Sequence, residues 1–331
     1  MKQKLIFRAD ASPVIGRGHL SRCMAIAAML VDQMDILFVV LEENKDFLKN
    51  YLTGFKVLYI KAEDDLLDLL TKDHLLWIDG YHFSEPLKKN YRSRVKSLIE
   101  TNDIPYDAMN VDKVFNHTPG ISSQDFSDSP SSLDLYLGLE YAFLRPKFLE
   151  IAKKSNPVLN GEGVFICFGA ADPFKLGEHW VQALIDRGFS DPIYWVSNSD
   201  FINPELAENR NITLLQNLTE DQMIIYMSKT KVLLIPSSVL SFEGLSLRKP
   251  MFTCYFVENQ KLIYKGLLNE GIASGAGEVL SKDDVLKSID DFLKYYQDEQ
   301  THSQQISLQA KLLDGKSDKR IIEAIQSNNH S

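Results

Sequence analysis

The stretch Leu5-Ile6-Phe7-Arg8-Ala9-Asp10-Ala11-Ser12-Pro13-Val14-Ile15-Gly16-Arg17-Gly18-His19 runs from an apolar segment through a glycine-containing loop. It continues into a segment where Leu20, Cys23, Met24 and Ala27 recur at helical spacing. This reads as strand, loop and helix, the opening of a βα unit. Ile36 to Leu41, Val57 to Ile60 and Leu75 to Ile78 repeat the pattern, short apolar runs between longer amphipathic stretches. Such runs predict strands buried on both faces of a largely parallel sheet.

The same rhythm restarts after Gly161-Glu162-Gly163 with Val164 to Phe168, Ile193 to Val196, Ile212 to Leu215, Val232 to Ile235 and Met251 to Tyr255. A Ser/Pro/Asp-rich loop from Thr118 to Ser132, then Leu144-Arg145-Pro146, separates the two sets. The expectation is an α/β fold of two doubly wound parallel-sheet domains facing a central cleft, residues 1–148 and 149–331. Polar helical sequence from about Ser281 onward is expected to close the second domain.

A chain of 331 residues, 44% of them hydrophobic, is long enough for two cores. A formal charge of −9 and the lack of a dense Lys/Arg block argue against a nucleic-acid partner. One diphosphate is still compatible, because backbone amides at a helix start can hold it. Cys23, Cys167 and Cys254 lie in separate apolar segments and read as reduced core residues, which favours a cytoplasmic location. The N-terminus fits a first strand better than a signal peptide. No run approaches the roughly 20 apolar residues of a membrane span, so no membrane insertion is expected.

Open α/β sheets bind ligands beyond the carboxyl ends of their strands, so the chemistry is expected in the βα loops. In the first loop Gly16 and Gly18 permit close backbone approach, and Asp10 leaves the strand beside them. His19 opens the helix, where the partial positive charge disfavours the imidazolium and suits a general base. A simple capping histidine is the plainer alternative. Asp79 and Tyr81 follow another strand. In the second half, Gly169 lies in Phe168-Gly169-Ala170-Ala171-Asp172-Pro173, and Ser237 and Ser238 leave a buried strand. Glu243 sits in the next helix, where it could accept ribose hydroxyls, or simply be favoured by the helix dipole behind a serine cap. Asn259 and Gln260 can both donate and accept hydrogen bonds, as sugar hydroxyls and N-acetyl groups require. No histidine, cysteine or carboxylate spacing suggests a metal site, and no Walker, Rossmann or nucleophile-elbow motif is present.

Taken together, Arg8-Ala9-Asp10-Ala11-Ser12 with Gly16-Arg17-Gly18-His19, the run Tyr141 to Phe148, the Phe168 to Pro173 loop, and Glu243 with Asn259-Gln260 resemble a known family. It is that of the UDP-2,4-diacetamido-2,4,6-trideoxy-β-L-altropyranose hydrolases of pseudaminic acid biosynthesis and the related spore-coat polysaccharide proteins. The resemblance covers nearly the whole chain in order. It implies a glycosyltransferase-B-like fold, a UDP-sugar substrate, no cofactor and no metal, and attack of water at the anomeric carbon with His19 activating the water. It further implies that Glu243 holds the ribose, that the Phe168 loop, Ser237 and Ser238 face the phosphates, and that Asn259 and Gln260 contact the nucleotide sugar. Ala170 stands where the family pattern has a second glycine, and Pro236 where it has a glycine-rich segment. An Asp-Asp pair is expected near Tyr106-Asp107-Ala108. A glycosyltransferase of the same fold, or a UDP-sugar-binding protein without turnover, are the alternatives.

Overall fold

The computed structural model describes residues 2–12, 16–49, 51–106, 108–154, 161–169, 172–198 and 203–327. The chain divides into two compact units, Met1–Pro146 with Lys316–Ser331, and Lys147–Gly315. The first carries strands β1 (Gln3–Ala9), β2 (Met34–Leu41), β3 (Lys56–Ile60), β4 (Leu75–Asp79), β5 (Ser97–Thr101), β6 (Lys113–Asn116) and β7 (Asp134–Leu137). They form one sheet in the order β3-β2-β1-β4-β5-β6-β7, parallel throughout. Strand order reverses between β1 and β4, and a crevice opens at such a point because the connections on either side leave in opposite directions.

The second unit carries β8 (Val164–Cys167), β9 (Ile193–Val196), β10 (Ile212–Leu215), β11 (Val232–Pro236), β12 (Met251–Tyr255) and β13 (Ser274–Glu278). Their order is β10-β9-β8-β11-β12-β13, again all parallel, so the reversal falls between β8 and β11. The sequence expectation of two doubly wound parallel-sheet domains therefore holds. Strands β5, β6, β7 and β13 were not anticipated.

The central strands of each sheet are buried because they are apolar on both faces. On one face of the first sheet Phe38, Phe7 and Trp77 stack at 5.2 and 5.7 Å between ring centroids. Phe115 continues the row 4.8 Å from Trp77, and Tyr136 lies 4.6 Å beyond it. Each such pair adds about 0.5–1.5 kcal/mol beyond area burial. The helix Gly18–Leu30 covers this face with Leu20, Cys23, Ile26, Ala27 and Leu30. Ile6, Val39, Leu76, Ile78 and Leu98 point to the opposite face and pack on the helix Glu85–Arg94 through Tyr91.

The final helix, Ser317–Gln326, does not close the second unit as the sequence division at 149–331 implied. Its apolar positions Ile321, Ala324 and Ile325 enter the core of the first unit. Lys113 Nζ fixes its end by donating to the Ser327 carbonyl at 2.9 Å. The helices Lys282–Gln297 and Glu299–Leu312 stay with the second unit, where Phe292 and Tyr296 pack near Trp180 and Phe252. Cys23, Cys167 and Cys254 are all buried free thiols.

Candidate active site

In the first unit the loop after β1 is closed by Gly16, whose N–H donates to the Ser12 carbonyl at 2.8 Å with φ at +73°. A side chain would be strained at that φ, so glycine is required there. The turn delivers the chain into the helix Gly18–Leu30, whose cap residue Arg17 makes no side-chain capping bond and whose first turn holds no acidic residue. The guanidinium of Arg17 instead lies over the rings of Phe47 and Tyr51, at 4.7 and 4.8 Å. Gly18 has open space where a Cβ would stand. The amides of the first helical turn thus meet neither a cap nor a carboxylate from their own turn.

His19 stands in that turn with its side chain 13% exposed. Its Nδ1 lies 2.7 Å from Asp79 Oδ1 at the end of β4. A carboxylate can only accept, so the tautomer that satisfies this contact carries its hydrogen on Nδ1 and leaves the Nε2 lone pair outward; Arg22 Nη2 lies 3.1 Å from the same Nδ1. Asp79 is fully buried and is itself gripped by Arg22, one helical turn beyond His19, through Nε at 2.5 Å and Nη2 at 2.6 Å. Arg22 also pairs with Asp103, just beyond β5, and Tyr81 donates its hydroxyl to Asp103 at 2.7 Å. The Tyr81 ring meets His19 edge-on, 4.9 Å between centroids. An orienting carboxylate, a charged clamp and an aromatic wall therefore fix one imidazole.

Burial alone would raise the Asp103 carboxyl, but the Arg22 charge and the bonds from Arg22 and Tyr81 outweigh it and hold it at about 2. The same contest at Asp79, burial against Arg22 and then His19, also ends below the ordinary carboxylate range. Both acids are thus fixed as anions, which is what an orienter of a histidine must be. Burial, then the Arg22 charge, pushes nearby His117 down to about 3.

Asp10 was expected to face a ligand. It is instead enclosed, 2.6 Å from Arg8 and accepting the Leu41 N–H at 3.0 Å, because a carboxylate at a strand end also serves to anchor the neighbouring strand. Asp79 likewise touches no solvent, and it contacts His19. Tyr81, by contrast, is 62% exposed. Arg22, Asp103 and His82, which lies 3.4 Å from Asp10, were not anticipated. The available signals were a charged residue on the apolar stripe three positions after His19, and an acid beyond the short run Leu98-Ile99.

In the second unit Gly169 leaves β8 with φ at +85° and open space around it. Ala170 and Ala171 lie outside the described residues, as does Asp107 of the first unit. Asp172 accepts the amides of Leu176 and Gly177, both at 2.8 Å, and so caps the next helix. Ser237 is fully buried with its hydroxyl 2.7 Å from Thr253 Oγ1, a bond between β11 and β12 that leaves it enclosed rather than facing a ligand. Ser238 caps the helix Val239–Ser246, its Oγ accepting from Leu240 N at 3.4 Å while Ser241 Oγ accepts from Ser238 N at 3.1 Å. Glu243 is buried on the second turn of that helix. Gln260 Oε1 accepts from Phe256 N at 3.1 Å, and half-buried Asn259 stands in the first turn of the helix Glu258–Asn269. The reversal point between β8 and β11 is therefore lined by small residues and helix starts. Among the described residues no cluster of His, Cys, Asp and Glu could hold a metal ion, and no helix is long and apolar enough to cross a membrane.

No family model matches the chain. It is 23% identical over 276 residues to the UDP-2,4-diacetamido-2,4,6-trideoxy-beta-L-altropyranose hydrolase of Campylobacter jejuni, covering 81% of this chain and 97% of that protein. Among solved structures, Acinetobacter baumannii MurG matches with a TM-score of 0.63 and 12% identity, over 98% of this chain and 99% of that one. The MnaA–UDP complex from S. aureus matches with a TM-score of 0.63 and 13% identity, over 98% and 96%. The resemblance read from the sequence thus recurs as a similarity to the UDP-2,4-diacetamido-2,4,6-trideoxy-beta-L-altropyranose hydrolase, and the fold is the two-domain α/β arrangement of glycosyltransferase-B structures.

Proposed function

We propose that the protein is a metal-independent UDP-sugar hydrolase. It would release UDP from a diacetamido-trideoxyhexose nucleotide, or a similar UDP-sugar, by attack of water at the anomeric carbon, in the synthesis of a nonulosonic acid. The observation that carries this reading is the His19–Asp79 pair, an imidazole oriented by a buried anion and placed at a helix start. Its Nε2 takes a proton from water as the oxygen bonds to the anomeric carbon. The bond from that carbon to the phosphate oxygen breaks, and UDP leaves with the electron pair. A single displacement of this kind inverts the anomeric centre. Ser238, Glu243, Asn259 and Gln260 are assigned to the nucleotide, with helix-start amides meeting the departing diphosphate.

The test is UDP release from the diacetamido-altrose nucleotide by the wild type and His19→Ala under identical conditions. A fall of at least about 100-fold is expected for loss of a general base. A chelator is expected to leave the wild-type rate unchanged. If wild type binds UDP but releases none, water is not the acceptor, and acceptor-dependent transfer is tested next. That second reading is favoured by a fold shared with glycosyltransferases such as the spinosyn forosaminyltransferase. UDP binding with neither outcome would leave a binding protein.

A further inference from the structure

At the carboxyl ends of β4 and β5 the first unit holds a pocket of about 270 Å³. Tyr81 and Asp103 line it, and both belong to the network around His19. Its floor is a buried ion cluster. Lys88 reaches in with Nζ 2.8 Å from Glu100, 2.6 Å from the Tyr106 hydroxyl and 3.4 Å from Glu85. Lys88 and Glu100 are 5% and 4% exposed.

Charge and size together decide what such a pocket admits. An ammonium has three hydrogens, and three acceptors already surround Lys88. Counting the neighbouring clamp, the cations Lys88 and Arg22 face the carboxylates of Glu85, Glu100, Asp103 and Asp79, so the region is negative and repels a diphosphate. The volume equals roughly nine waters at about 30 Å³ each, room for one pyranose ring with its substituents and too little for a nucleoside diphosphate. Ile104, 41% exposed, and the Tyr81 ring give an apolar lip suited to the C–H face of a sugar or the methyl of an acyl group.

We propose that this pocket is the sugar subsite, taking an uncharged N-acyl-bearing hexose and excluding phosphate. The proposal rests on the UDP-sugar reading above and adds where the hexose lies and which residues select it.

Exposed Ile104 can be enlarged without disturbing a core, so Ile104→Trp should fold while closing the pocket. Calorimetry would compare wild type, Ile104→Trp and Ile104→Ala for UDP and for free 2,4-diacetamido-2,4,6-trideoxy-L-altrose. The expected result is sugar binding by wild type, a small loss in Ile104→Ala from its truncated lip, a loss of about ten-fold or more in Ile104→Trp, and unchanged UDP affinity in all three. Sugar binding indifferent to Ile104→Trp, absent in wild type, or lost in step with UDP would overturn the proposal. Should wild type bind the sugar in an Ile104-dependent way yet release no UDP from the nucleotide, the hydrolase reading fails and the subsite stands.

Discussion

The two reversal points, built on the same strand order, are finished in opposite materials. Beyond β4 of the first unit, buried ions lock one imidazole into place: Arg22, Asp79 and Asp103. Beyond β11 of the second, a serine–threonine hydroxyl pair and a serine cap do the local work. A proton-transfer group needs a fixed direction, and short charge-assisted bonds provide it at the cost of desolvating several ions. At the helix start beyond β11 no acidic residue competes for the first-turn amides, whereas beyond β8 Asp172 takes those of Leu176 and Gly177. One strand order thus carries a charged network at the first reversal point and hydroxyl bonds at the second.

The sharpest way to break this contrast is Arg22→Met. It leaves Asp79 and Asp103 buried without their cation, and a loss of about 3–5 kcal/mol is expected for such a broken pair. Urea unfolding followed by Trp77, with Trp180 and Trp195 changed to Phe, reads the first unit alone. Little change there would mean the ions are not the organising element.

Next in size, Asp79→Asn removes the anion that sets the His19 tautomer. On the hydrolase reading kcat should fall by about 100-fold or more, with KM nearly unchanged. A comparable fall in UDP affinity would instead show general disruption.

Acid should then separate the units. An unfolded chain protonates His117 below its ordinary 6.5, whereas the folded protein resists until about 3, so this contribution to stability is full above 6.5 and shrinks as pH falls toward 3. Asp103 acts lower: its contribution is present above the ordinary carboxylate value of about 3.9 and is lost as pH falls through about 2. The second unit's His302 is also shifted down, by burial first. The first unit is expected to open first on acidification, and His117→Asn to flatten its pH dependence.

The smallest effect is Ser238→Ala, about 1 kcal/mol from a lost cap, read in the melting of the second unit with a modest rise in the Kd for UDP. A null result in both would leave amides alone in charge of that crevice.

The apolar runs from Leu5 to Tyr255 foretold β1 to β4 and β8 to β12, because strands covered on both faces must be continuously hydrophobic. Strand β13, Ser274-Gly275-Ala276-Gly277-Glu278, has no such signature. Its form follows from pairing with β12, where a Cβ at Gly275 would stand 2.3 Å from the Thr253 carbonyl oxygen. The place of His19 after Gly16 and Gly18 marked the helix start at which the structure sets it. The enclosure of Asp10 and Asp79 by arginines was not legible, since a carboxylate leaving a strand reads identically whether it faces a ligand or an arginine. Arg22 was hidden because it occupies the apolar stripe of its own helix, and its partners come from residues 57 and 81 positions away.

The final helix gives the molecule an order of assembly. Ile321, Ala324 and Ile325 complete a core whose other members precede residue 146, and the whole second unit is encoded between them. During synthesis the second unit can finish folding while the first still waits for its last piece. The half bearing His19 is thus the later to mature, and a chain cut short after Gly315 would keep its second core intact and lack only the closing piece of its first.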